Sequence, residues 1–306
     1  MSKPREKAIS DKVGLMLGGI GIVLFAGTLP GTRLAVVDID PLFLTAARAT
    51  IAGIAGALIL MLMRRPLPTR DDLVRCFVAG LFTVLAFPLF AALAMMTVPA
   101  SHGGVVLGIL PLATTAAATM LAGERPSIGF WLASAAGAAL VLVFMLRHSG
   151  IEAVGWGDLF LLLTVASGAA GYTYSARATA HLPGWEVISW SVVIFLPLGL
   201  VCAILLWPAD VGAIGWPAWS GLLYVGLVSQ YFAFFVYNAA MAITGVARVA
   251  QLLLLQPFVI VGLAFLVNGE PIELETLAFC GGVVAIVVIG QRMRVTRGGA
   301  GVLQQR

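Results

Sequence analysis

The feature that most constrains this chain is a succession of apolar runs, each bounded by charged residues, prolines or tryptophans. A helix needs about 20 apolar residues to cross a bilayer, and lipid offers its backbone no external hydrogen-bond partner. We therefore predict an all-α membrane protein with ten transmembrane helices. The predicted spans are residues 13–31, 41–63, 73–96, 101–121, 127–146, 158–177, 187–207, 216–238, 246–267 and 272–290.

The composition agrees with a chain that lies mostly in lipid. Hydrophobic residues make up 60% of the 306 residues and charged residues only 10%, whereas about 25% of the residues in a soluble domain are charged. The three cysteines have no Cys-x-x-Cys spacing, which indicates neither a disulfide framework nor a metal site. Most basic residues lie at span ends, where they orient membrane helices, so we expect the lipid bilayer and no nucleic acid as a partner.

Lysine and arginine residues predict the orientation in the membrane. If the N-terminus is cytoplasmic, nearly all of them fall on the cytoplasmic side and only Arg33 and Arg147 fall outside. A signal peptide is the alternative for the first span, but that run is too long for one and further spans follow it. We expect an inner (plasma) membrane protein with cytoplasmic tails at residues 1–12 and 291–306.

Two segments 146 positions apart share prolines, glycines and glutamates in the same order. The matched pairs include Pro111 and Pro257, Gly123 and Gly269, Glu124 and Glu270, and Gly80 and Gly226. We interpret the chain as two copies of a five-span unit, residues 13–146 and 157–290. Because five is odd, the second copy enters the membrane from the opposite side, which predicts inverted repeats, an arrangement typical of transporters.

The paired Gly-Glu-(Arg)-Pro sequences have a structural interpretation. Proline at the first position of a helix loses no hydrogen bond, and a glutamate just before it faces the positive end of the following helix. We therefore expect Glu124 and Glu270 to mark the junction of two spans and to have no catalytic role.

Polar side chains inside spans are costly in lipid and usually face a cavity or a neighbouring helix. Stripes of such residues occur in the sixth, eighth and ninth spans. One interpretation of each stripe is that it simply holds helices together. Three stripes together favour a substrate cavity. The residues of these stripes that we take as candidate substrate contacts are Ser167, Tyr231, Phe234, Asn238, Arg248, Gln251 and Gln256.

His102 and Arg248 occupy equivalent positions in the two proposed repeats. A pseudo-two-fold axis would place them on opposite sides of a site at the midplane, and an arginine can bind a carboxylate bidentately. The alternative is that each anchors its helix at the interface. Arg48, inside the second span, is expected to be structural, pairing with helix-end carbonyls or with Asp38 or Asp40.

Acidic residues are confined to tails, loops and span ends. A carboxylate proton relay would need one at depth, so exchange down a gradient is favoured over proton coupling. The Gly-Trp-Gly-Asp sequence at residues 155–158 matches an aspartyl protease motif, but no second embedded aspartate accompanies it. We therefore expect no enzyme activity, no cofactor and no metal.

The duplicated Pro…Gly-Glu-Pro pattern, the two five-span halves and the charge distribution resemble the EamA family of the drug/metabolite transporter superfamily. Asn238, nineteen residues before Pro257, is similar to a pattern of the YddG-type aromatic amino acid exporters. Leu110 and Ser167 stand where we expect aromatic side chains in those exporters. The resemblance implies an exporter with a somewhat wider pocket.

The expected function is export of amino acids by alternating access, with a broad specificity that prefers aromatic or large neutral ones. Aromatic side chains in the third, sixth and eighth spans would favour flat apolar substrates. They are Phe82, Phe87, Tyr172, Tyr231 and Phe234. Export of another small metabolite or drug is the alternative, and a receptor or channel is a more distant one. We expect the protein to act as a monomer.

Overall fold

A computed structural model describes residues 4–122, 124–149, 155–244, 253–292 and 295–297. These residues are helical except for short connections and two three-residue strands. The α-helices are α1 (Pro4–Ala26), α2 (Thr28–Ala35), α3 (Pro41–Leu62), α4 (Arg70–Gly80), α5 (Phe87–Met95), α6 (Ala100–Leu107), α7 (Leu110–Ala122), α8 (Ile128–Ser149), α9 (Trp156–Ala178), α10 (Gly184–Leu205), α11 (Trp216–Leu223), α12 (Ala233–Thr244), α13 (Gln256–Asn268) and α14 (Leu274–Arg292).

Six helical stretches among the described residues are long and apolar enough to cross a membrane. They are Lys12–Ala35, Pro41–Leu62, Arg70–Met95, Trp156–Ala178, Gly184–Leu205 and Trp216–Tyr237. The pair α6 and α7, bent by 44°, would make a seventh if it is one span. Shorter apolar helices cover Trp131–Phe144, Gln256–Asn268 and Leu274–Gly290. The fold is therefore that of an all-helical, multi-pass membrane protein.

Local sequence signals explain where several helices begin. The Asp40 side chain accepts hydrogen bonds from the backbone N–H groups of Leu42 and Phe43, and Pro41 occupies the first turn of α3. Thr69 caps α4 by accepting from the Asp72 N–H. Both caps satisfy amide groups that a helix start leaves without partners.

Helices α3 and α10 pack closely because small residues lie in their interface. A Cβ atom added to Gly53 on α3 would lie 3.0 Å from the Val192 carbonyl oxygen on α10. A Cβ atom added to Gly199 on α10 would lie 3.2 Å from the Ala46 carbonyl oxygen on α3. Glycine allows such close backbone approach. The contact is reciprocal, because each glycine lies against the residue seven positions before the other glycine.

Two spans contain π-helical segments, Leu81–Ala86 between α4 and α5 and Tyr224–Phe232 between α11 and α12. The two segments touch, because the Gln230 side-chain amide Nε2 donates to the Thr83 carbonyl oxygen at 3.1 Å. Their last residues, Ala86 and Phe232, are 146 positions apart. π-Helical turns are rare and occur often at functional sites.

Glu270 occupies a position that differs from the expectation for the Gly-Glu-Pro sequence. Gly269 ends α13 with a φ of +69°, a left-handed conformation that glycine adopts without strain. The carboxylate of Glu270 then accepts the backbone N–H groups of Ala100 and Ser101 at 2.7 and 2.8 Å. The expectation that Glu270 faces the following helix is therefore wrong, because its carboxylate caps α6 in the first half of the chain.

The two short strands bring the end of the described chain against the loop after α7. Strand β1 (Glu124–Pro126) pairs antiparallel with β2 (Val295–Arg297), and Arg125 lies opposite Thr296. The connection between α7 and α8 and the segment after α14 therefore lie on the same side of the protein.

Candidate functional site

A cavity of about 410 Å³ opens between helices of the first and second parts of the chain. Its lining includes Phe25 from α1, Leu107 from α6, Leu110 and Thr114 from α7, Tyr172 from α9, Ile188 from α10, Phe234 and Tyr237 from α12, and Gln256 and Ile260 from α13. Most of these side chains are apolar, with a few hydroxyl and amide groups among them. Pockets for small molecules typically have volumes of about 300–1,000 Å³ and this mixture of side chains.

Aromatic rings form one wall of this main cavity. Phe25 makes edge-to-face contacts with Phe234, at 4.9 Å between ring centroids, and with Tyr237, at 5.7 Å. Tyr172 contributes a further ring to the lining. Such a wall can pack against flat apolar groups of a substrate.

A smaller compartment of about 40 Å³ adjoins the main cavity and is lined in part by the same residues. The residues that belong only to this inner compartment include Thr28, Arg48, Thr83, Phe87, Ser229 and Gln230. Five of these carry polar side chains that can hydrogen-bond: Thr28, Arg48, Thr83, Ser229 and Gln230. The inner compartment is thus a polar extension of a mainly apolar cavity.

Arg48 lies two turns inside the start of α3 and lines this inner compartment. Its side chain is buried, with 4% of the residue exposed. A guanidinium Nη2 donates to Ser229 Oγ at 3.5 Å, whereas Nε is buried without a hydrogen-bond partner. Arg48 is the single charged residue among the described residues that line the two compartments.

The expectation that Arg48 pairs with Asp38 or Asp40 is wrong. Asp38 accepts the Gly215 N–H at 3.0 Å, and Asp40 caps the start of α3. Arg48 lies two turns further along the helix, where it reaches Ser229. Ser229 in turn hydrogen-bonds Thr28 at 2.6 Å, so the arginine belongs to a chain of hydroxyl groups and not to an ion pair.

Gln230 supplies a second buried polar group to the inner compartment. Because the Thr83 carbonyl can only accept, the amide nitrogen of Gln230 must face it, and the amide oxygen points elsewhere. That oxygen, Oε1, is buried without a hydrogen-bond partner. Arg48, which has an unsatisfied donor, and Gln230, which has an unsatisfied acceptor, therefore both line the same small space.

Four of the residues that the sequence suggested as substrate contacts line this site. Tyr172, Phe234 and Gln256 contact both compartments, and Phe87 contacts the inner one. These residues come from α5, α9, α12 and α13. The helices that the sequence selected by their polar and aromatic stripes do converge on one cavity at these positions.

Three other suggested residues line neither compartment. Tyr231 is fully buried and its hydroxyl hydrogen-bonds Ser189 at 2.8 Å. Phe82 stacks on Tyr174 with ring centroids 5.7 Å apart, and Ser167 is buried in α9. Tyr231 and Phe82 therefore contact neighbouring helices, and for Tyr231 this was the alternative interpretation of its stripe.

His102 is paired inside the protein and lies outside the cavity lining. Its Nε2 atom is 2.9 Å from Asp158 Oδ1, and both side chains are buried. The second oxygen of Asp158 accepts the Gly155 N–H at the start of α9. The pair therefore links α6 to the first turn of α9, close to the α6 end that Glu270 caps.

Arg248 and Gln251 lie outside the described residues, as does the side chain of Asn238. The lining residues that the sequence did not suggest include Phe25, Thr28, Ser229 and Tyr237. The sequence also gave Arg48 a structural role. One available signal was the repeat offset, since Thr83 and Ser229 are 146 positions apart and both line the inner compartment.

The apolar, membrane-length helices and the cavity of solute size define a multi-pass membrane protein of the transporter class. The EamA-like transporter family matches the sequence twice, over residues 12–146 and 155–290. The chain therefore belongs to the EamA-like transporter family.

Two comparisons describe what the chain is similar to. A protein of Bacillus subtilis (strain 168) described as the uncharacterized transporter YdeK is 39% identical over 279 residues, which are 91% of this chain and 97% of that protein. A solved crystal structure superposes with a TM-score of 0.60 at 20% identity and covers 91% of this chain and 98% of its own. The second likeness concerns the fold alone.

Proposed function

We propose that this protein exports amino acids across the inner (plasma) membrane by alternating access, with a broad specificity that prefers aromatic or other large neutral side chains. The observation that carries this proposal is the cavity of about 410 Å³ with an aromatic wall and a polar extension. An amino acid combines an apolar side chain with a polar head group, and the two compartments have the matching chemistry.

The proposed mechanism rests on ten spans arranged as two inverted five-helix repeats, residues 13–146 and 157–290. Three observations support this arrangement. The Gly53 and Gly199 contacts are reciprocal, the π-helical segments end 146 positions apart, and α1 packs on α12 as the equivalent α9 packs on α5. Motion of one repeat against the other would open the cavity alternately to each side.

The proposed topology has both termini in the cytoplasm. Its support is the excess of lysine and arginine in the loops assigned to that side. The pairing of Arg125 with Thr296 in the short β-ribbon agrees with it, because both strands are assigned to the cytoplasmic face. We also propose that the monomer is the functional unit, since side chains from both proposed repeats of a single chain are sufficient to line the cavity.

The preference for large side chains follows from the aromatic wall. One favourable ring pair contributes about 0.5–1.5 kcal/mol beyond surface burial, which corresponds to about tenfold discrimination. Leu110 lines the cavity and offers no ring. We therefore propose a preference among neutral amino acids and no strict selection for aromatic ones.

Counterflow of radiolabelled amino acids into proteoliposomes tests this proposal. We expect accumulation of phenylalanine and, more weakly, of smaller neutral amino acids such as threonine. Cells that express the protein should also tolerate toxic analogues of both better than control cells. Absence of counterflow across a broad amino-acid panel would contradict the assignment and favour the alternative, export of another small metabolite or drug, to which a mostly apolar cavity is also suited.

A further inference from the structure

Arg48 combines three properties that are rarely found together in a membrane helix. It lies inside an apolar span, it is buried, and no carboxylate among the described residues pairs with it. Placing a charged side chain inside the membrane costs free energy. Such residues are therefore rare, and they mark substrate or ion pathways.

We propose that Arg48 and Gln230 form the head-group site for a zwitterionic α-amino carboxylate. The substrate carboxylate accepts hydrogen bonds from the Arg48 guanidinium, and the substrate ammonium donates to Gln230 Oε1. The side chain of the substrate extends into the main cavity beside Phe234. This proposal deepens the proposed function and rests on it for the identity of the solute.

Two residues that line the inner compartment have unsatisfied polar atoms, and these atoms carry the inference. Arg48 Nε is a buried donor and Gln230 Oε1 is a buried acceptor, and neither has a partner among the described residues. Leaving such atoms unpaired costs free energy, and the cost is larger for a charged group. A ligand that satisfies both at once recovers this cost on binding.

The surrounding hydroxyl groups hold the arginine in place. Ser229 accepts from Arg48 and can donate to Thr28, which donates to the Phe25 carbonyl oxygen at 2.5 Å. This chain uses only one long hydrogen bond of the guanidinium, which has five donors in a planar fork. The remaining donors suit a carboxylate, which such a fork can bind bidentately.

The size of the inner compartment fits a head group and excludes a whole substrate. Its volume of about 40 Å³ is several times the roughly 10–15 Å³ that a single water needs by the same measure. Phe234 and Tyr172 line both compartments and mark the passage between them. A substrate bound at Arg48 therefore has its apolar part directed toward the aromatic wall.

The test measures the binding of four related probes to the purified full-length protein in nanodiscs. Phenylalanine carries both charges, 3-phenylpropionate lacks the ammonium, phenylalaninamide lacks the carboxylate, and 2-phenylethylamine keeps the amine alone. We expect the wild-type protein to bind phenylalanine about ten- to a hundredfold more tightly than phenylalaninamide, since hydrogen bonds to charged groups contribute that much.

Two variants should separate the two halves of the site. Arg48→Gln should lower the affinity for phenylalanine and 3-phenylpropionate by about ten- to a hundredfold and leave the affinity for phenylalaninamide unchanged. Gln230→Leu should lower the affinity for phenylalanine and leave the affinity for 3-phenylpropionate unchanged. Arg48→Lys keeps the charge without the planar fork and should give an intermediate affinity. Arg75→Gln, which removes an arginine paired with Asp72 on the protein surface, is the matched control and should bind all probes like the wild type.

Each outcome decides the proposal. If the wild type does not distinguish phenylalanine from its amide, or if Arg48→Gln retains the distinction, the head-group site is refuted. Because the first comparison uses only the wild type, this holds even if a variant fails to fold. If 3-phenylpropionate binds through Arg48 but no amino acid undergoes counterflow, the carboxylate site stands and the amino-acid function falls. If none of the four probes binds, both proposals are refuted.

Discussion

Replacing Gly53 by alanine tests the contact between α3 and α10 on which the proposed two-fold arrangement depends. The new Cβ atom would lie 2.7 Å from Leu196 Cβ and 3.0 Å from the Val192 carbonyl oxygen. Because the carbonyl belongs to the helix backbone, the two helices must move apart to accept the methyl group. Overpacking of this kind costs about 1–3 kcal/mol.

Alanine also stabilises a helix by about 1 kcal/mol relative to glycine. The control must therefore be a glycine-to-alanine substitution that gives the same helix stabilisation without a clash. Gly262 on α13 meets that condition, since no atom lies within 4 Å of a Cβ atom added there. We expect Gly53→Ala to be less stable than Gly262→Ala by about 1–3 kcal/mol. In soluble domains of 150–250 residues, each kcal/mol corresponds to about 2–4 °C in melting temperature.

The assay is thermal melting of the detergent-solubilised protein, followed by the loss of its monodisperse fraction. Gly199→Ala should lower the melting temperature in the same direction, because its Cβ atom would lie 3.1 Å from Ala49 Cβ. The double variant should lose less than the sum of the two single losses, since separating the helices once relieves both clashes. Equal melting temperatures for Gly53→Ala and Gly262→Ala would refute the close packing and remove a main support for the inverted repeats.

Three further sets of substitutions test the site and the contacts that support it. Phe234→Ala should reduce the affinity for phenylalanine about tenfold and change that for threonine little, as measured by competition in counterflow; an equal loss for both would argue against an aromatic wall. Glu270→Ala removes the carboxylate that caps α6 and should destabilise the protein by about 1–2 kcal/mol in thermal melting, while Glu270→Gln, which keeps one acceptor oxygen, should lose less. His102→Leu removes the hydrogen-bond partner of the buried Asp158 carboxylate and should lower the free energy of unfolding by about 2–5 kcal/mol. Adding Asp158→Leu should restore part of this stability. A double variant that melts no higher than His102→Leu would contradict this account of the pair.

The class of the protein was predictable from the sequence because it depends on local chemistry. The free energy of placing a segment in lipid depends on the residues of that segment alone, so a window of about 20 residues is enough to identify a span. Helix starts are similarly local, as Asp40 and Pro41 show at the start of α3. The all-helical membrane fold was predicted in this way and is confirmed. Membership of the EamA family was expected from a resemblance to the duplicated motif, and it is also confirmed.

Partners that are distant in the sequence were not predictable by the same means. Glu270 was assigned to the helix that follows it, yet it caps α6, 170 positions earlier in the chain. His102 was expected to lie beside the substrate site, but it pairs with Asp158, 56 positions away. A carboxylate is attracted by any helix start or cation within reach, and only the packing of the helices determines which one that is.

The residues of the site also fall into those that a single helix predicts and those that only the tertiary packing determines. Aromatic and polar stripes on single helices sufficed to select Tyr172, Phe234 and Gln256, because the face of a helix follows from its own periodicity. The role of Arg48 depended on the second π-helical segment, which brings Ser229 and Gln230 to α3. The free energy of a buried guanidinium depends on the groups that surround it in space, so the tertiary structure alone decided that this charge faces the cavity and not an aspartate.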